Sequence, residues 1–563
     1  MSIEQSADAL EDDVTARPPV PRPRMRWWGW GVDADAMQLP PSAQPMIERG
    51  LGVKEKPPPR VPLDAIELPP SRLGVEVRAR FAEIVGAEGV RDDQLTRVTH
   101  AAGRSYPDLI RLRAGLVTGP DAVVYPSTHD EVRALLATCS DAGVAVVPFG
   151  GGTSVVGGVE PAAGAFGAAI ALDLARMSGI LSLDEISLTA RVAPGTTGPQ
   201  LEAGLGEYGL TLGHLPQSWE YTTIGGAIAT RSAGQASTGY GRIDKLVLGL
   251  RLAAPAAELE VPVRPGTAGP APALRELVVG SEGVLGVITE ATLAVRRAPD
   301  VRQYEGWSFR SFADGVEALR ELEQARAAGD VSRLSDEAET MLALASAGQV
   351  AGAGARLARR YLKLRGHGGG CLAILGFEGE ADEAMDRANR ARALLRSLGG
   401  LRLGSRPGAA WLHQRFRAPY LRDELLDRGV MVETLETATT WTNLHNLYSA
   451  VASALRTSLS ERGTPPLVMC HVSHLYPAGA SLYFTFMAAQ ERDREIEQWH
   501  AAKTAAGDAI VAAGGTITHH HAIGTDHARW LRAEIGEVGI ELLRAAKARL
   551  DPRGIMNPGK LLP

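Results

Sequence analysis

Cysteine is scarce. Cys139, Cys371 and Cys470 are the three in 563 residues, too few and too scattered for a disulfide framework or a CxxC metal site. A reducing, cytoplasmic setting is therefore expected. No run of about 18 apolar residues occurs, which argues against a transmembrane helix. The chain starts acidic and polar, with no apolar stretch behind a positive cluster, so no secretory signal is expected. The closing Leu561-Leu562-Pro563 gives no clear peroxisomal address. Long Lys/Arg blocks are missing too, and a net charge of -6 with both signs abundant argues against nucleic acid as a partner. No internal repeat is visible.

What is present is apolar substance and glycine. At 45% hydrophobic residues the chain can bury more than one core, and its length calls for two or more domains. Residues 1 to 70 hold 13 of the 35 prolines, which favours extended, loosely packed structure, with disorder expected for the first 20. Within this stretch Arg26-Trp27-Trp28-Gly29-Trp30-Gly31 stands apart, because three tryptophans in four positions are costly to expose and should dock on the body.

Three small-residue stretches follow. Ala122 to Tyr125 reads as a strand, Thr128 and Glu131 open a helix that Gly143 closes, and Val144 to Val147 reads as a second strand ending in Pro148-Phe149-Gly150-Gly151-Gly152-Thr153-Ser154. Glycines there let backbone N–H groups converge on a diphosphate, although a glycine triplet alone is also a plain tight turn. Thr222-Thr223-Ile224-Gly225-Gly226-Ala227-Ile228-Ala229-Thr230 is expected to lie flat against a planar ring. Val278 to Glu290, with Gly280-Ser281-Glu282-Gly283, is the third. From about residue 300 helices and strands alternate: Phe312 to Ala327 and Glu380 to Leu398 as helices, Cys371 to Phe377 as a strand, and two strands within Met469 to Phe486. That is an α+β domain with an antiparallel sheet.

The order of these motifs resembles the FAD-binding family typified by vanillyl-alcohol oxidase, through the Pro148 to Ser154 loop, Gly280 to Ile288, and Asp551-Pro552-Arg553-Gly554-Ile555-Met556-Asn557-Pro558. Within it the chain is similar to the alkyldihydroxyacetonephosphate synthase family from about Arg26 onward. Trp27 to Gly31, Gly213-His214 to Arg231, Arg333-Leu334, Tyr420 to Asp423, Ala478 to Phe484 and His519-His520-His521 carry that likeness. It implies an α+β fold made of a two-subdomain FAD-binding domain and an α+β cap. The expected boundaries are 1–85 for the tail and docking segment, 86–298 for the FAD-binding domain, 299–510 for the substrate cap and 511–563 for a segment returning to the flavin.

The resemblance implies a redox-neutral exchange, in which acyl-dihydroxyacetone phosphate loses its fatty acid through an adduct on flavin N5 and a fatty alcohol replaces it. FAD is expected to be non-covalent, since no His or Cys falls where tethered members attach it. The residues implied for FAD are Pro148, Phe149, Gly150, Gly151, Gly152, Thr153 and Ser154; Gln217, Ser218, Thr222, Thr223, Gly225, Gly226, Thr230, Arg231, Ser232 and Ala233; and Glu282, Gly283, Val284, Leu285, Gly286, Val287 and Ile288. Tyr483 matches the catalytic tyrosine, His519, His520 and His521 the essential histidine run, and Arg333 an arginine important for activity. Arg422, Thr434 and His214 match substrate-side positions.

Taken alone, an arginine is usually solvated, Tyr483 reads as core, and three adjacent histidines on an extended strand cannot face one way. A metal is not expected, because no Cys or carboxylate pattern accompanies the histidines. Ala522 to Asp526, Leu215 to Ser218 and Thr434 depart from the family pattern, which bears on the lipid substrates. Lipid substrates allow peripheral membrane contact, though no basic amphipathic helix stands out, and a homodimer is left open. The competing reading is an FAD-dependent 2-hydroxy-acid dehydrogenase of D-lactate or glycolate type. Against it, the cap has His474-Leu475-Tyr476-Pro477-Ala478-Gly479 where such enzymes carry a His-x-Gly-Asp-Gly-Asn element.

Overall fold

The computed structural model describes residues 24–39, 44–264, 272–347 and 360–562. The disorder expected for the first 20 residues lies outside that set. Three sheets of three or more strands carry the fold among the described residues.

The first sheet grows from the expected β-α-β unit. Thr128 caps the helix His129–Ala142 by accepting from the Glu131 N–H, and Gly143, at φ 65°, ends it. Val132, Leu135, Leu136 and Cys139 form the buried face of that helix. The strands are β1 (Val90–Arg91), β2 (Ala122–Val124), β3 (Val144–Phe149) and β4 (Ala168–Asp173), in the order β1-β2-β4-β3. β4 runs parallel to both β2 and β3. All three are buried on both faces, as parallel strands covered on each side must be. Beside β3 the chain from Asp551 to Asn557 docks: the Val146 N–H donates to the Ile555 carbonyl, and the Asn557 N–H to the Val146 carbonyl.

The second sheet is antiparallel, with β5 (Ile180–Asp184), β6 (Thr189–Val192), β7 (Val247–Ala254), β8 (Ala257–Val261) and β9 (Val287–Ala294) in the order β5-β6-β9-β7-β8. The Thr222 to Thr230 stretch, expected to lie flat against a planar ring, holds a turn of helix. Thr223 caps a short helix, Ile224–Ala229, whose glycines permit close packing on Pro194 and on the loop after β3.

The third sheet is the largest: β10 (Val301–Phe309), β11 (Val331–Ser335), β12 (Cys371–Gly379), β13 (Leu401–Gly404), β14 (Val430–Thr440), β15 (Leu467–Tyr476) and β16 (Gly479–Ala489). Every pairing in its order β13-β10-β12-β11-β15-β16-β14 is antiparallel. The helices Phe312–Gln324, Ala381–Ser397, Leu444–Glu461 and Glu495–Ala512 share one apolar core with it.

The tryptophan segment docks as expected. Trp30 is 2% exposed and meets Tyr221 edge-on at 5.5 Å, in a cluster with Met25 and Tyr420. Its backbone N–H and the Arg26 guanidinium both donate to Asp423, at 2.6 and 2.9 Å. The three cysteines are buried and unpaired.

Candidate active site

The loop leaving β3 is walled by other backbone. A Cβ on Gly151 would collide with the Tyr221 carbonyl and one on Gly150 with the Thr223 hydroxyl, while Gly152 turns at φ 67°. Glycine is thus required by the neighbouring chain as well as by any ligand. The amides of Gly151, Gly152, Thr153 and Ser154 donate to no protein acceptor among the described residues. Buried N–H groups are normally paired, so four successive free ones mark a place for an anion.

Beside them opens a cavity of about 690 Å³, counting its open mouth. Pro148, Phe149, Gly150, Ser154, Thr223, Gly225, Gly226, Thr230, Glu282, Gly283, Gly286, Val287 and Ile288 line it, as the sequence suggested. Ala229, from the Thr222 to Thr230 stretch, lines it too, and so do Gly158, Val159, Leu174 and Ala522, which were not among the expected residues. Some expected residues are not part of this wall. Arg231 turns away to Glu276 at 2.9 Å and to the Val279 carbonyl, because a charged partner was available outside. Val284 and Leu285 belong to apolar clusters, Gln217 donates to the Arg415 carbonyl, and Ser218 bonds Thr222. Ser232 meets His214, and Ala233 is buried core.

Glu282 lines the cavity but acts as a clamp. Its carboxylate accepts from the Ile523 and Gly524 amides, both at 2.7 Å, while Asn557 donates to its carbonyl at 2.7 Å. Burial pushes this carboxyl up to about 7 against the pull of those bonds. The clamp brings the residues after the histidine triplet, Ala522 included, to the cavity edge.

None of the cavity's lining residues belongs to the large sheet; Ala522, directly after the triplet, is the link between the cavity and a wall of side chains on that sheet. Because strand residues alternate faces, Leu334, Leu435, Cys470, Val472, Leu482, Phe484 and Phe486 point into the helical core. Arg333, Thr434, Glu436, His471 and Tyr483 fall on the other face. Register joins them, with Tyr483 opposite Glu436 on one side and opposite His471 on the other. Tyr483 stacks on His471 at 4.9 Å and lies near-parallel to His520 at 6.1 Å. Burial pushes its phenol up to about 12, and a bond with Thr434 opposes that shift.

Arg333 pairs with Glu339 of the helix Glu337–Ala347 at 2.7 Å and lies 3.0 Å from His471 Nδ1. Burial would raise the Glu339 carboxyl, but His471 and Arg333 hold it far below its usual range. Arg422 comes from the helix Ala418–Leu426, anchored at the next residue because Arg26, Trp30 and Arg113 all grip Asp423. The Arg422 Nε is buried with no partner among the described residues.

His519, His520 and His521 stand in a loop, so the alternation expected of a strand does not apply. Tyr476 OH meets His519 Nε2 at 2.7 Å, and His519 Nδ1 lies 3.0 Å from His520 Nδ1. His521 sits edge-on to Tyr483 at 5.5 Å. Burial brings His519 and His521 each down to about 3, with Glu436 opposing. His214, bonded to Ser232 at 2.7 Å, is lowered to about 4 by burial.

A carboxylate does accompany the histidines, contrary to the sequence expectation: Glu436, from a strand far upstream, lies 3.3 Å from His520 Nδ1. His474, His519 and His520 offer ring nitrogens within 4.8 Å of one another, the one such cluster among the described residues. Sequence reasoning also missed Glu339 and His471. For His471 the available signal was an imidazole inside an otherwise apolar strand; Glu339, in the first turn of the helix Glu337–Ala347, carried none.

The glycine-walled cavity with its free amides fits FAD, and the comparisons agree. Residues 120–261 match the family described as FAD binding domain, and residues 298–561 match the C-terminal domain of FAD linked oxidases. The chain is an FAD-dependent enzyme of this two-domain class. The alkyldihydroxyacetonephosphate synthase of Dictyostelium discoideum is 33% identical over 513 residues, 90% of this chain and 84% of that one. That of Trypanosoma brucei brucei is 33% identical over 506 residues, 88% and 82% of the two chains. A crystal structure of an alkyldihydroxyacetonephosphate synthase superposes with a TM-score of 0.82 at 30% identity, covering 95% of this chain and 98% of that one. The chain belongs to the alkyldihydroxyacetonephosphate synthase family.

Proposed function

We propose that this chain exchanges the acyl group of acyl-dihydroxyacetone phosphate for a fatty alcohol, forming an ether lipid precursor without net redox change. The observation that carries the reading is the grouping of Tyr483, an arginine-backed His471 and the histidine triplet packed against one face of the large sheet, with Ala522 after the triplet lining the FAD cavity.

When bound, FAD supplies the nucleophilic ring centre that displaces the fatty acid. The amides from Gly151 to Ser154 hold its diphosphate. Arg422, with an unpaired buried N–H, takes the substrate phosphate, for which a guanidinium fork is suited. Tyr483, kept protonated well above neutral pH, donates to and recovers a proton from the substrate oxygen. Arg333 acts behind His471, fixing the ring on which Tyr483 stacks. His214 and the neutral His519 and His521 donate hydrogen bonds to charge that develops in the reaction. No described helix is long and apolar enough to cross a membrane, and we take the chain to meet its acyl substrate at a bilayer surface.

The test is incubation of the FAD-loaded protein with acyl-dihydroxyacetone phosphate and labelled fatty alcohol, with no electron acceptor. Equal yields of released fatty acid and labelled ether are expected. No exchange, together with flavin bleaching by a small 2-hydroxy acid, would replace this reading with the dehydrogenase. Acid denaturation should release all of the yellow colour, as non-covalent FAD requires.

A further inference from the structure

The triplet loop is built around one anion. Glu436 stands directly across from Tyr483 in the sheet, and its side chain has no exposed surface. Its carboxylate accepts from the backbone N–H of His519 at 2.8 and 2.7 Å, of His520 at 2.8 Å and of His521 at 2.8 Å, and from the Thr518 hydroxyl at 2.5 Å. Its ion partners among the described residues are imidazoles alone: His520 Nδ1 at 3.3 Å and His519 Nδ1 at 3.9 Å. Glu339, on the other side of Tyr483, has a guanidinium instead.

A buried carboxylate without Lys or Arg is tolerated only where amides and a chargeable neighbour neutralise it. A loop that needed only a cap could take one amide bond from a serine or an asparagine. Three consecutive amides, a hydroxyl and a ring nitrogen drawn to one carboxylate do two things. They hold the loop against the carboxylate, and they put a full negative charge nearest the His520 ring, at 3.3 Å from Nδ1, while His521 meets it through its backbone N–H.

We propose that Glu436 is a positioning residue for the exchange reaction. It holds the triplet loop in register with Tyr483 and is the charge partner of His520, which makes His520 the member of the triplet that handles the proton. This rests on the reading under Proposed function. Burial favours the neutral acid, but the surrounding histidines hold the Glu436 carboxyl well below its usual range, so it stays an anion. Tyr483 faces it from β16, His474 and Tyr476 from β15, Arg242 from the start of the helix Ile243–Leu246, and His527 from beyond the triplet. His214 faces His520. Arg242 meets this group only through the His519 carbonyl, at 3.0 Å, and is itself paired with Asp244.

Glu436→Gln in the full-length, FAD-loaded chain tests this. The variant is expected to keep its FAD and its flavin spectrum, and to lose about 100-fold or more in exchange, as when a buried acid behind a catalytic histidine is amidated. The acid limb of its pH–rate profile should move to lower pH, since removing a neighbouring anion makes an imidazolium harder to form. Labelling of the triplet by diethyl pyrocarbonate, followed by peptide mass spectrometry across the acid-to-neutral range, should show the same displacement without substrate. That second readout separates this inference from the reaction assignment, because it responds to Glu436 even if exchange is never seen. Glu436→Asp, which keeps the charge but withdraws it from His520, should recover about tenfold of the lost rate. If Glu436→Gln fails to fold, Glu436→Asp carries the test by its own loss of rate and displaced profile. Unmoved profiles in the variant that folds, or wild-type rates, would reduce Glu436 to a loop cap. Stoichiometric metal in the wild-type protein that disappears in Glu436→Gln would also overturn the proposal, by making it a ligand with His474, His519 and His520.

Discussion

The cavity's cradle and the wall of side chains on the large sheet are built on opposite principles. The cradle after β3 uses almost no side chains: its working groups are backbone amides, and its side chains are small so that three loops can touch. The wall on the large sheet uses almost nothing else, with aromatic, imidazole, guanidinium and carboxylate groups crowded on one face. A cradle of amides grips a diphosphate whatever chemistry follows, whereas the wall decides that chemistry. The cradle should therefore fail by losing the cofactor, and the wall by losing turnover.

The sharpest break is Gly151→Ala. Its methyl would collide with the Tyr221 carbonyl, a backbone atom that cannot step aside. The expected outcome is loss of bound FAD, read as the 450 nm absorbance that remains per chain after gel filtration. Next comes Tyr483→Phe, expected to lower kcat for exchange about 1000-fold while FAD content and spectrum stay as in the wild type. Loss of flavin in this variant would erase the distinction between cradle and wall. Arg422→Gln is milder, raising KM for the phosphate substrate by about 10- to 100-fold with a smaller change in kcat, from steady-state kinetics.

The smallest effect is in pH. His214, lowered from 6.5 to about 4, and His519 and His521, lowered to about 3, bind protons more readily when the chain unfolds. The stability they lend the wall is complete above about pH 6.5 and is lost as the pH falls through about 4 to 3. Glu282 in the cradle, raised from 4.5 to about 7, runs the other way: its contribution is present below about 4.5 and lost as the pH rises through about 7. Mild acid should loosen the wall before it frees the flavin. Histidine-loop hydrogen exchange and flavin fluorescence, followed along one titration, check the order.

The cradle was legible because its residues are contiguous. Pro148 to Ser154 is one loop, and a glycine run after an apolar strand has few uses. What the loop alone did not show is that Tyr221 and Thr223 occupy the side of Gly151 and Gly150 that a Cβ would take. The helix within Thr222 to Thr230 was not foreseen, because small residues show no period by which a six-residue helix could be seen. The wall gave no contiguous signal. Tyr483, His471 and Glu436 meet only through strand register, and Glu436 reaches the histidines across 84 positions of chain to His520. The family likeness supplied Tyr483 and the triplet, but it could not supply the carboxylate beneath them.

One more consequence concerns the order of assembly. Ile555 and Asn557 bracket Val146 on the edge strand of the first sheet, and Asn557 ties Glu282 and Gly158 together beside the cavity. A ribosome translating this chain makes β3 some four hundred residues before it makes that clasp. Until the clasp emerges, the nascent nucleotide site lacks its last seam. Cofactor capture is therefore expected only once nearly the whole polypeptide has been synthesised, and chains stalled short of that point should be colourless.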